Sequence, residues 1–348
     1  MPALPAADLD HVLRQTDRLW ADVAGRRVFI TGGTGFFGRW ALESFVAAND
    51  RLRLNAEAVV LTRRAEAFRR AEPHVGTHPA VRLVDGDVRS FELSPEPFAA
   101  ILHMATDADV GLIDRKPSLI IDTIVNGTRR VLDYAQACGT PRLLHTSSGA
   151  VYGRQPPELR HLPEEFPGAP VLSAPRAAYA EAKRLAEVMC LLAVRDAGIG
   201  AVNARCFAFV GPLLPTGRGY AIGNFFGDAV ARRPIRIAGD GTPVRSYLYA
   251  ADLAIWLWTL ALRGTPGRAY NVGSETEVSI GDAARAVSRA FDLPPPIAGA
   301  VAPPPGCLPE RYVPSTARAR DELGLLTWIE FPEAVTRTAD WLRAQDPS

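Results

Sequence analysis

The first 207 residues contain six short apolar segments, most of them separated by segments long enough to form helices. The apolar segments are 27–31, 58–62, 81–84, 99–103, 142–146 and 201–207. Runs of this length and apolarity are typical of strands buried on both faces of a sheet. The longest intervening segments, 37–48, 118–137 and 179–194, have the length and pattern of helices. This alternation predicts an α/β fold with a parallel, doubly wound sheet.

The segments that flank this alternation have a different pattern. Apolar side chains recur at helical spacing over residues 9–20, which predicts an amphipathic helix before the first strand. After about Phe207 the alternation stops, and Pro and Gly cluster at 211–219, 239–243 and 294–306. We therefore expect a helical extension at 1–24, a sheet domain at 25–207 and a smaller lobe at 208–348, with some later segments returning to the sheet domain.

Charge and cysteine usage exclude several classes of protein. The formal net charge is +1 and no run of like charge is long, so neither nucleic acid nor an anionic membrane is an expected partner. The four cysteines lie far apart without a C-x-x-C pair, which disfavours a metal site or a disulfide framework. No apolar run has the length of a membrane span, and no signal peptide is evident. We expect a cytoplasmic protein that binds no metal.

A glycine-rich segment, Thr31–Gly38, follows the first strand directly, and a predicted helix follows it. Glycine at 32 and 35 allows the backbone to turn and approach a pyrophosphate, and Gly38 allows the helix to pack against the sheet. The helix start, at Phe36 and Phe37, adds free N–H groups and a partial positive charge. The segment predicts a dinucleotide site at Gly32, Gly35, Phe36, Phe37 and Gly38, the alternative being a glycine turn without a ligand.

The end of the second strand bears on which dinucleotide binds. NAD sites of this type place a carboxylate there for the ribose 2′-hydroxyl. This strand ends in Thr62-Arg63-Arg64, and the first carboxylate, Glu66, comes later. Because a guanidinium attracts a 2′-phosphate, Arg63 or Arg64 could hold that group. We therefore expect NADP(H) to be preferred, with Thr62 and Arg63 at the cofactor site and NAD(H) possible. The alternative is that both arginines are solvated surface charges.

The step Gly86-Asp87-Val88 follows the third strand. Taken alone it would be an ordinary turn. Its place after a strand of the same sheet makes Asp87 a candidate acceptor for an adenine amino group, with Val88 beside it. Both residues are therefore expected at the cofactor site.

Tyr179 and Lys183 are four residues apart in a predicted helix and therefore share one face. A close ammonium favours the phenolate and is expected to lower the tyrosine pKa from its usual value near 10. Only two of the 39 lysine and arginine side chains are lysine, the other being Lys116. Lysine also reaches a ribose hydroxyl, a role that the planar fork of arginine does not fit. The pair predicts an acid–base site, the alternative being a chance pair on a surface helix.

The fifth strand runs into Ser147–Gly153, a segment with two consecutive serines. An open α/β sheet binds its ligand at the carboxyl ends of its strands. Ser148 is therefore expected to hydrogen-bond a substrate oxygen beside Tyr179. Without Tyr179 and Lys183, the two serines would be ordinary polar residues at the end of a strand.

Taken together, these segments resemble the extended short-chain dehydrogenase/reductase family, in the branch that modifies nucleotide sugars. The matching segments are Thr31–Gly38, Gly86–Asp87, His103–Thr106, Ser147–Gly153, Tyr179–Lys183, Gly211–Pro212 and Gly241–Tyr247. The resemblance implies a Rossmann-type dinucleotide-binding domain at 25–207 and a smaller α/β substrate-binding lobe at 208–348. It also implies a nicotinamide cofactor and a catalytic triad of Ser148, Tyr179 and Lys183.

The resemblance implies further contacts and an assembly. Implied cofactor contacts in this part of the chain are Met104, Ala105, Thr106, Tyr179 and Lys183. Implied substrate contacts are Thr106, Ser148, Gly149, Ala150, Arg245 and Arg311. Arg245 matches the arginine that grips the diphosphate of a nucleoside-diphosphate-sugar, and Arg311 is a candidate for a second one; the alternative for each is a surface arginine. A homodimer through the long helices after strands four and five is expected from the family alone.

Departures from the family pattern narrow the reaction. Sugar 4,6-dehydratases carry an Asp-Glu pair directly after the catalytic Ser or Thr, where this chain has Gly149 and Ala150, which cannot transfer protons. The decarboxylase branch also keeps a Glu near there. Epimerases commonly place an Asn three residues before the Gly-Pro step, where this chain has Ala208. The first two reactions are therefore disfavoured, and a simple epimerase fits incompletely.

Two enzymatic interpretations remain, and a third comes from another class of protein. In a ketoreductase, NADPH delivers hydride to a keto group of a nucleotide-linked deoxysugar and Tyr179 gives the proton. In a 4-epimerase, a tightly bound NAD removes and returns the hydride, and the same triad serves. Arg63 and Ala208 favour the reductase. A non-catalytic dinucleotide-sensing protein is the third hypothesis, which the intact triad disfavours.

Overall fold

The computed structural model describes residues 3–106, 110–174, 176–217, 219–300 and 308–345. Within these ranges, no helix combines the length and the apolar character that crossing a bilayer requires. The same residues contain no group of three or more His, Cys, Asp or Glu side chains arranged to hold a metal ion. Cys138, Cys190 and Cys206 are free thiols, and Cys307 lies outside the described residues.

The strands divide between one large sheet and three small ones. In chain order they are β1 (Arg27–Thr31), β2 (Glu57–Thr62), β3 (Val81–Asp85), β4 (Ala100–His103), β5 (Arg142–Ser148), β6 (Gly200–Cys206), β7 (Phe209–Val210), β8 (Arg236–Ile237), β9 (Val244–Arg245), β10 (Leu248–Tyr249), β11 (Ala269–Val272), β12 (Val278–Ser279), β13 (Ile297–Ala298) and β14 (Arg311–Tyr312). Seven of the described strands form a parallel sheet in the order β11-β6-β5-β4-β1-β2-β3. The predicted doubly wound sheet is confirmed, because all six predicted strands lie in it.

The structure describes twelve α-helices, several of which cover the two faces of this sheet. They are α1 (Ala6–Thr16), α2 (Phe36–Leu52), α3 (Ala65–Ala71), α4 (Pro73–Gly76), α5 (Val110–Arg115), α6 (Pro117–Ala137), α7 (Ala177–Ala197), α8 (Ala221–Val230), α9 (Ala250–Arg263), α10 (Ile280–Ala290), α11 (Ala317–Leu323) and α12 (Phe331–Arg343), with 3₁₀ turns at Asp17–Asp22 and Gly149–Tyr152. On β1, Val28 and Ile30 face α2 and α9, whereas Phe29 faces α6, and all three are fully buried. Burial on both faces explains why the strand sequences are continuous apolar runs.

The predicted N-terminal helix is present, but it begins at Ala6 and its last part is the 3₁₀ turn. It packs against α9 and α2. The buried Asp8 carboxylate joins the two ends of the described chain, since it accepts hydrogen bonds from the Tyr249 hydroxyl at 2.6 Å and from the Arg337 guanidinium at 2.6 Å. Helix α1 is therefore part of the layer of helices that lies on the α9 face of the large sheet.

Two elements after Phe207 belong to the sheet domain: helix α9 packs on one face of the large sheet, and strand β11 is part of that sheet. The sequence pattern predicted neither element. Every residue of α9 except Arg263 is buried, so this helix has no polar face and no amphipathic periodicity. Strand β11 has four residues and pairs in parallel with β6, with Ala269 opposite Asn203. Residues 250–272 thus return to the sheet domain from within the C-terminal part of the chain.

The smaller lobe lies over the carboxyl edge of the large sheet. It contains the small sheets β12-β9-β14, β10-β7 and β13-β8. Strand β9 pairs in parallel with β14, and this register places Arg245 directly opposite Tyr312. Phe37 at the start of α2 packs on Phe209 of β7, with ring centroids 5.0 Å apart. The lobe therefore contacts the glycine-rich end of the sheet domain.

Candidate active site

The glycine-rich loop packs against the segment that follows β4. Gly32 has a φ of +73°, and a Cβ placed on it would lie 2.6 Å from the backbone carbonyl of Met104 and 2.7 Å from the Ala105 nitrogen. The Ala105 N–H donates to the Thr31 hydroxyl at 3.2 Å. Only glycine fits at position 32, because both the backbone conformation and the close contact exclude a side chain. The structure thus brings together the predicted cofactor residues Gly32, Met104 and Ala105.

The start of α2 is open above this loop. Gly38 is held by internal packing, since a Cβ there would lie 2.2 Å from the Gly32 carbonyl oxygen. Gly35 differs, because it is exposed at the N-cap and a Cβ there would meet only that same oxygen, at 3.5 Å. Internal packing does not require glycine at position 35. An open helix N-terminus whose cap lacks a side chain fits the close approach of a pyrophosphate.

A charged cluster lies at the ends of β2 and β3. Asp87 is held by Arg89, which donates to both carboxylate oxygens at 2.9 Å and also to Asp122 at 2.5 Å. Hydrogen bonds from Arg89 lower the pKa of Asp87 to about 2, and the charge of Arg63 contributes in the same direction. Arg63 is exposed beside Thr62 at the end of β2. The predicted residues Thr62, Arg63 and Asp87 therefore lie together at the carboxyl ends of β2 and β3. Arg89, which was not predicted from the sequence, lies with them.

Two further features of this charged cluster bear on adenine binding, namely the position of Val88 and the free lone pairs of Asp87. Val88 is buried against α6, since a Cβ on Gly127 would lie 3.0 Å from its side chain. Each carboxylate oxygen of Asp87 has two lone pairs, so the bonds to Arg89 leave room for a donor such as an adenine amino group. An Asp-x-Arg step after the strand was the available signal for Arg89.

Lys183 on α7 is nearly inaccessible to solvent. Its side chain crosses to the ends of β4 and β5, where its ammonium donates to the Thr106 hydroxyl at 2.9 Å and to the Thr146 carbonyl at 2.6 Å. Burial lowers the pKa of Lys183 to about 8. The lysine therefore holds a positive charge against the predicted residue Thr106 at neutral pH and loses it in mild alkali.

Tyr179 lies one turn before Lys183 on α7 and is partly exposed. Burial raises the pKa of Tyr179, and hydrogen bonding to Ser148 offsets part of that rise. The predicted lowering of the Tyr179 pKa by the Lys183 ammonium is wrong, because burial is the larger effect and the ammonium is bonded to Thr106 and Thr146. At neutral pH Tyr179 is therefore a neutral phenol that can donate a proton.

A second tyrosine approaches the segment after Ser148 from the small lobe. The Tyr312 ring packs on Phe207 with 4.6 Å between the ring centroids, and its hydroxyl lies beside Gly149. A Cβ placed on Gly149 would lie 2.5 Å from the Tyr312 hydroxyl oxygen and 2.8 Å from the Phe207 ring. Glycine at 149 is therefore required by close packing. The sequence analysis did not select Tyr312, because its contact depends on the pairing of β9 with β14.

The two predicted diphosphate arginines are not brought together. Directly paired residues of neighbouring strands point to the same face, so the β9–β14 register places Arg245 on the face of Tyr312 and Arg311 on the other. The Arg245 guanidinium bonds to Glu310 at 2.6 Å, and Arg311 pairs with Glu277 at 2.8 Å. Arg245 therefore shares the face of the small sheet that carries Tyr312, whereas the structure directs Arg311 away from it.

Behind Ser148, Tyr179 and Lys183 lies a buried polar layer between the sheet and α7. Ser147 donates to Glu187 at 2.5 Å, and Glu187 also binds the Arg205 guanidinium at 2.7 Å. His103 and His145 stack at 5.7 Å, and burial lowers the pKa of both. These neutral imidazoles lie on the same side of the sheet as Lys183, whose charge further lowers both pKa values. The layer separates the lysine from bulk solvent on that side.

A polar cleft of about 610 Å³ lies beside β6 and β11, on the outer side of this layer. Each arginine of its wall pairs with a glutamate of the same wall: Arg205 with Glu187, Arg268 with Glu322 and Arg318 with Glu165. Because these charges compensate one another, the cleft does not offer the excess positive charge that a diphosphate requires. Its residues are distinct from those that surround Ser148 and Tyr179.

Comparison with known proteins identifies the family to which this arrangement belongs. The NAD dependent epimerase/dehydratase family matches residues 28–273, from the first strand through β11. The chain belongs to this family. The matched region contains the glycine-rich loop, Ser148, Tyr179, Lys183 and Arg245, and the resemblance inferred from the sequence is confirmed.

The relatives in this family have several activities. The chain is 26% identical over 327 residues to a dTDP-glucose 4,6-dehydratase of Streptomyces antibioticus, which covers 91% of this chain and 92% of that protein. It is 27% identical over 316 residues to UDP-glucuronic acid decarboxylase 1 of Arabidopsis thaliana, over 89% of this chain and 68% of the relative. These proteins are enzymes of the same family, and the expectation that the chain is an enzyme agrees with them.

Solved structures agree in fold over nearly the whole chain. The dTDP-glucose 4,6-dehydratase of Streptomyces venezuelae, solved with NAD and TYD, has a TM-score of 0.79 at 23% identity and covers 92% of this chain and 98% of its own. The UDP-glucose 4-epimerase of Thermus thermophilus, solved with NAD, has a TM-score of 0.73 at 26% identity, with 91% and 99% covered. The Rossmann-type fold with a smaller lobe is thereby confirmed.

Proposed function

We propose that the protein is an NADPH-dependent ketoreductase that acts on a keto-deoxysugar carried by a nucleoside diphosphate. The observation that carries this proposal is the filled space beside Ser148. A dehydratase would need a carboxylic acid at position 149, where Tyr312 and Phe207 leave no room for even a Cβ. Ala150 likewise offers no proton-transfer group. The proposal therefore departs from the dehydratase and decarboxylase relatives and keeps their hydride chemistry.

In the proposed reaction the keto oxygen of the sugar binds between Ser148 and Tyr179. Ser148 donates a hydrogen bond that orients the carbonyl, and Tyr179 transfers its phenolic proton to that oxygen as the carbonyl carbon is reduced. When bound, the dinucleotide supplies the hydride. Lys183 stabilises the phenolate that remains and holds a ribose hydroxyl, so its bond to Thr106 is exchanged for bonds to the ligand. A proton from solvent then restores Tyr179.

The residues at the crevice fit the proposed cofactor. Gly32, Gly35 and the start of α2 would hold the pyrophosphate, with Phe36 and Phe37 supplying backbone N–H groups. Arg63 would bind the 2′-phosphate, and the neighbouring charge of Arg89 adds to the positive potential there. A carboxylate at the strand tip would repel that phosphate, and the strand ends in Thr62 instead.

Substrate binding is assigned by the same proposal to the face of the small sheet that carries Arg245. Its guanidinium is occupied by the carboxylate of Glu310, which is half exposed. A diphosphate carries more charge than one carboxylate and would replace it. Thr106, Ser148 and the backbone of Gly149 and Ala150 would then line the sugar position. Arg311 stays a weaker candidate, because it lies on the other face of the small sheet.

The proposal includes a homodimer formed through α6 and α7. Several large apolar side chains on the outer faces of these helices are exposed, namely Leu119, Ile121, Leu185, Val188, Leu191 and Leu192. Clusters of exposed apolar side chains of this kind mark contact surfaces. The two helices pack against each other, so two copies would form a four-helix contact.

A second candidate function is a nucleotide-sugar 4-epimerase with tightly bound NAD. The observation that favours it is the likeness to the Thermus thermophilus UDP-glucose 4-epimerase, a structure that contains NAD. The same Ser148, Tyr179 and Lys183 would serve, with Tyr179 first accepting a proton from the sugar hydroxyl and then returning it. Ala208 and Arg63 count against this candidate.

Two measurements separate these candidates. The first identifies the dinucleotide in the purified protein: retained NAD indicates an epimerase, and exchangeable NADPH with a weaker affinity for NADH indicates a reductase. The second follows NADPH oxidation with the keto-deoxysugar nucleotide released by a dTDP-glucose 4,6-dehydratase, with Tyr179→Phe as the inactive control. No NADPH oxidation, together with interconversion of UDP-glucose and UDP-galactose, would replace the reductase by the epimerase. Cofactor binding without either reaction would support a sensing role.

The cofactor preference is tested by one substitution and a matched control. Arg63→Ala should weaken NADPH binding about tenfold and leave NADH binding unchanged, since a hydrogen bond to a charged group contributes about 1.5–3 kcal/mol. Arg70 is a suitable control, because it is an exposed arginine on the next helix whose partner is Glu66. Equal affinities of the parent protein for both cofactors would remove Arg63 from the site.

A further inference from the structure

A glutamate that the proposed reaction does not use ties helix α7 to the carboxyl edge of the large sheet. Glu187 follows Lys183 by four residues on α7, so the two side chains share one face of the helix. The Glu187 carboxylate accepts hydrogen bonds from the Ser147 hydroxyl at 2.5 Å and from the Arg205 guanidinium at 2.7 and 3.0 Å. Glu187 is 7% exposed and Ser147 is 4% exposed. Because hydrogen bonds to a charged group are short and strong, this buried carboxylate holds helix and sheet together at one point.

The strand residues bound by α7 lie directly before the candidate catalytic serine. Ser147 precedes Ser148 on β5. One turn earlier on the helix, Lys183 donates to the carbonyl of Thr146 at 2.6 Å. Successive turns of α7 thus bind successive residues of β5, through Lys183 and then through Glu187. These two bonds set the distance and the register of the helix against the strand that ends in Ser148.

Arg205 of β6 extends the same link to the turn that follows Ser148. Its guanidinium donates to the Tyr152 hydroxyl at 2.9 Å and lies 4.8 Å from the centroid of that ring. Tyr152 is the last residue of the 3₁₀ turn Gly149–Tyr152. Residues on both sides of Ser148 are therefore connected to the Glu187 carboxylate.

We propose that Glu187 is a positioning residue, which fixes Tyr179 and Lys183 on α7 against Ser148 on β5. Its hydrogen bonds go to Ser147 and to the guanidinium of β6, so it acts through these groups and not on the substrate. The inference rests on the proposed hydride transfer, in which the helix and the strand have to meet at one keto oxygen. Catalytic geometry of this kind is sensitive to displacements of about 1 Å.

The charge of Glu187 also bears on Lys183. Burial lowers the pKa of Lys183 to about 8, and the negative charge of Glu187 opposes that lowering. The other titratable side chains that interact with the lysine lie on β4, β5, α7 and β6, and they are His103, His145, Cys190 and Cys206. Burial lowers the pKa of both imidazoles and raises the pKa of both thiols, so all four are neutral at neutral pH. Removal of the Glu187 charge should therefore lower the pKa of Lys183 further.

The test is Glu187→Gln, which keeps the shape of the side chain and removes its charge. In NADPH oxidation with the keto-deoxysugar nucleotide, kcat should fall at least about tenfold, since a misplacement of about 1 Å can cost a hundredfold. The KM for the sugar should change less than about twofold, because Glu187 does not bind it. The basic limb of the pH profile should move from about 8 to lower pH. Glu322→Gln is the matched control and should change none of these, because its partners are Arg268 and Tyr270 at the β11 edge.

The two lysines of the chain allow a measurement that needs no activity. With lysine labelled with carbon-13, an NMR titration gives separate signals for Lys183 and Lys116, and Lys116→Arg assigns them. Glu187→Gln should lower the pKa of Lys183 and leave the Lys116 signal unchanged. Ser147→Ala is the milder variant, because it keeps the ion pair and removes only the bond to β5. It should lower kcat about fivefold, the effect of one hydrogen bond.

An unchanged kcat in folded Glu187→Gln would overturn the inference, and an equal loss in Glu322→Gln would do the same, because any broken ion pair would then suffice. Should Glu187→Gln fail to fold, an unchanged kcat in Ser147→Ala rejects the inference. If the parent protein has no hydride-transfer activity, the proposed function fails, and the NMR titration decides the inference: an unchanged pKa of Lys183 in Glu187→Gln rejects it.

Discussion

Replacement of Lys183 by arginine tests the proposed chemistry most directly. The side chain is 3% exposed, and its ammonium is fixed by the Thr106 hydroxyl at 2.9 Å and the Thr146 carbonyl at 2.6 Å. A guanidinium is larger and planar, so in this enclosed space it cannot keep both bonds. Loss of one bond to a charged group costs about 1.5–3 kcal/mol, and 2.7 kcal/mol corresponds to about a hundredfold in rate. We expect Lys183→Arg to lower turnover at least ~100-fold.

The pH dependence gives a second measure of the same residue. Because burial lowers the pKa of Lys183 to about 8, the ammonium is present below that pH and is lost above it. Activity of the parent protein should therefore fall as the pH rises through about 8. A guanidinium stays charged throughout this range, so the residual activity of Lys183→Arg should lack that basic limb. Rates of NADPH oxidation between pH 6 and 10 measure both.

The chain offers a matched control for this experiment. Lys116, its other lysine, is exposed before α6, and Lys116→Arg should be fully active. Circular dichroism checks that each variant is folded. Tyr179→Phe should lower turnover at least as much as Lys183→Arg, and the double variant should be no worse than the poorer single one, since the lysine acts largely through the phenol. A fully active Lys183→Arg protein would refute the reasoning.

Three further predictions concern the lobe, the assembly and acid stability. Arg245→Ala should weaken binding of a nucleoside diphosphate at least tenfold in calorimetry and spare NADPH, whereas Arg311→Ala should change neither; equal effects would contradict the face assignment. Val188→Arg on the exposed face of α7 should convert a dimer to a monomer in sedimentation, and a monomeric parent would contradict the contact. The pKa of His103 is lowered to about 3, so the unfolded chain gains a proton that the folded chain excludes, and stability should fall as the pH drops below 6.5. His103→Asn should reduce that slope by up to about 1.4 kcal/mol per pH unit in urea unfolding, and an unchanged slope would exclude His103 as its cause.

The fold could be predicted from the sequence where each segment carries its own signal. Strands such as Arg27–Thr31 are continuous apolar runs because both faces of the sheet are covered, and this pattern needs no knowledge of distant residues. Helix α9 lacked such a signal, since a helix that is apolar on every side has no periodicity to detect. Strand β11 was missed because four residues in a region rich in turns do not stand out.

The candidate site was predictable to the extent that its residues are close in sequence. Tyr179 and Lys183 share a helix face, and Ser148 ends a recognisable strand. Tyr312 could not be found in this way, because its hydroxyl is brought to Gly149 only by the register of β14 against β9. The pKa of Tyr179 was misjudged for a related reason: proximity in sequence suggested an ammonium beside the phenol, whereas burial is the larger effect and depends on the whole fold.

Helix α9 and strand β11, which complete the large sheet and its cover, come late in the chain, and this has a consequence for synthesis on the ribosome. A nascent chain that has reached the end of β6 has its glycine-rich loop, Ser148 and Lys183, but the backbone edge of β6 that pairs with β11 is still open. The face of the sheet that α9 covers is also exposed at that stage. Open edges and apolar faces invite association with other chains. The large sheet is therefore completed only by residues translated after much of the smaller lobe has begun to emerge, and chaperone contact is expected in that interval.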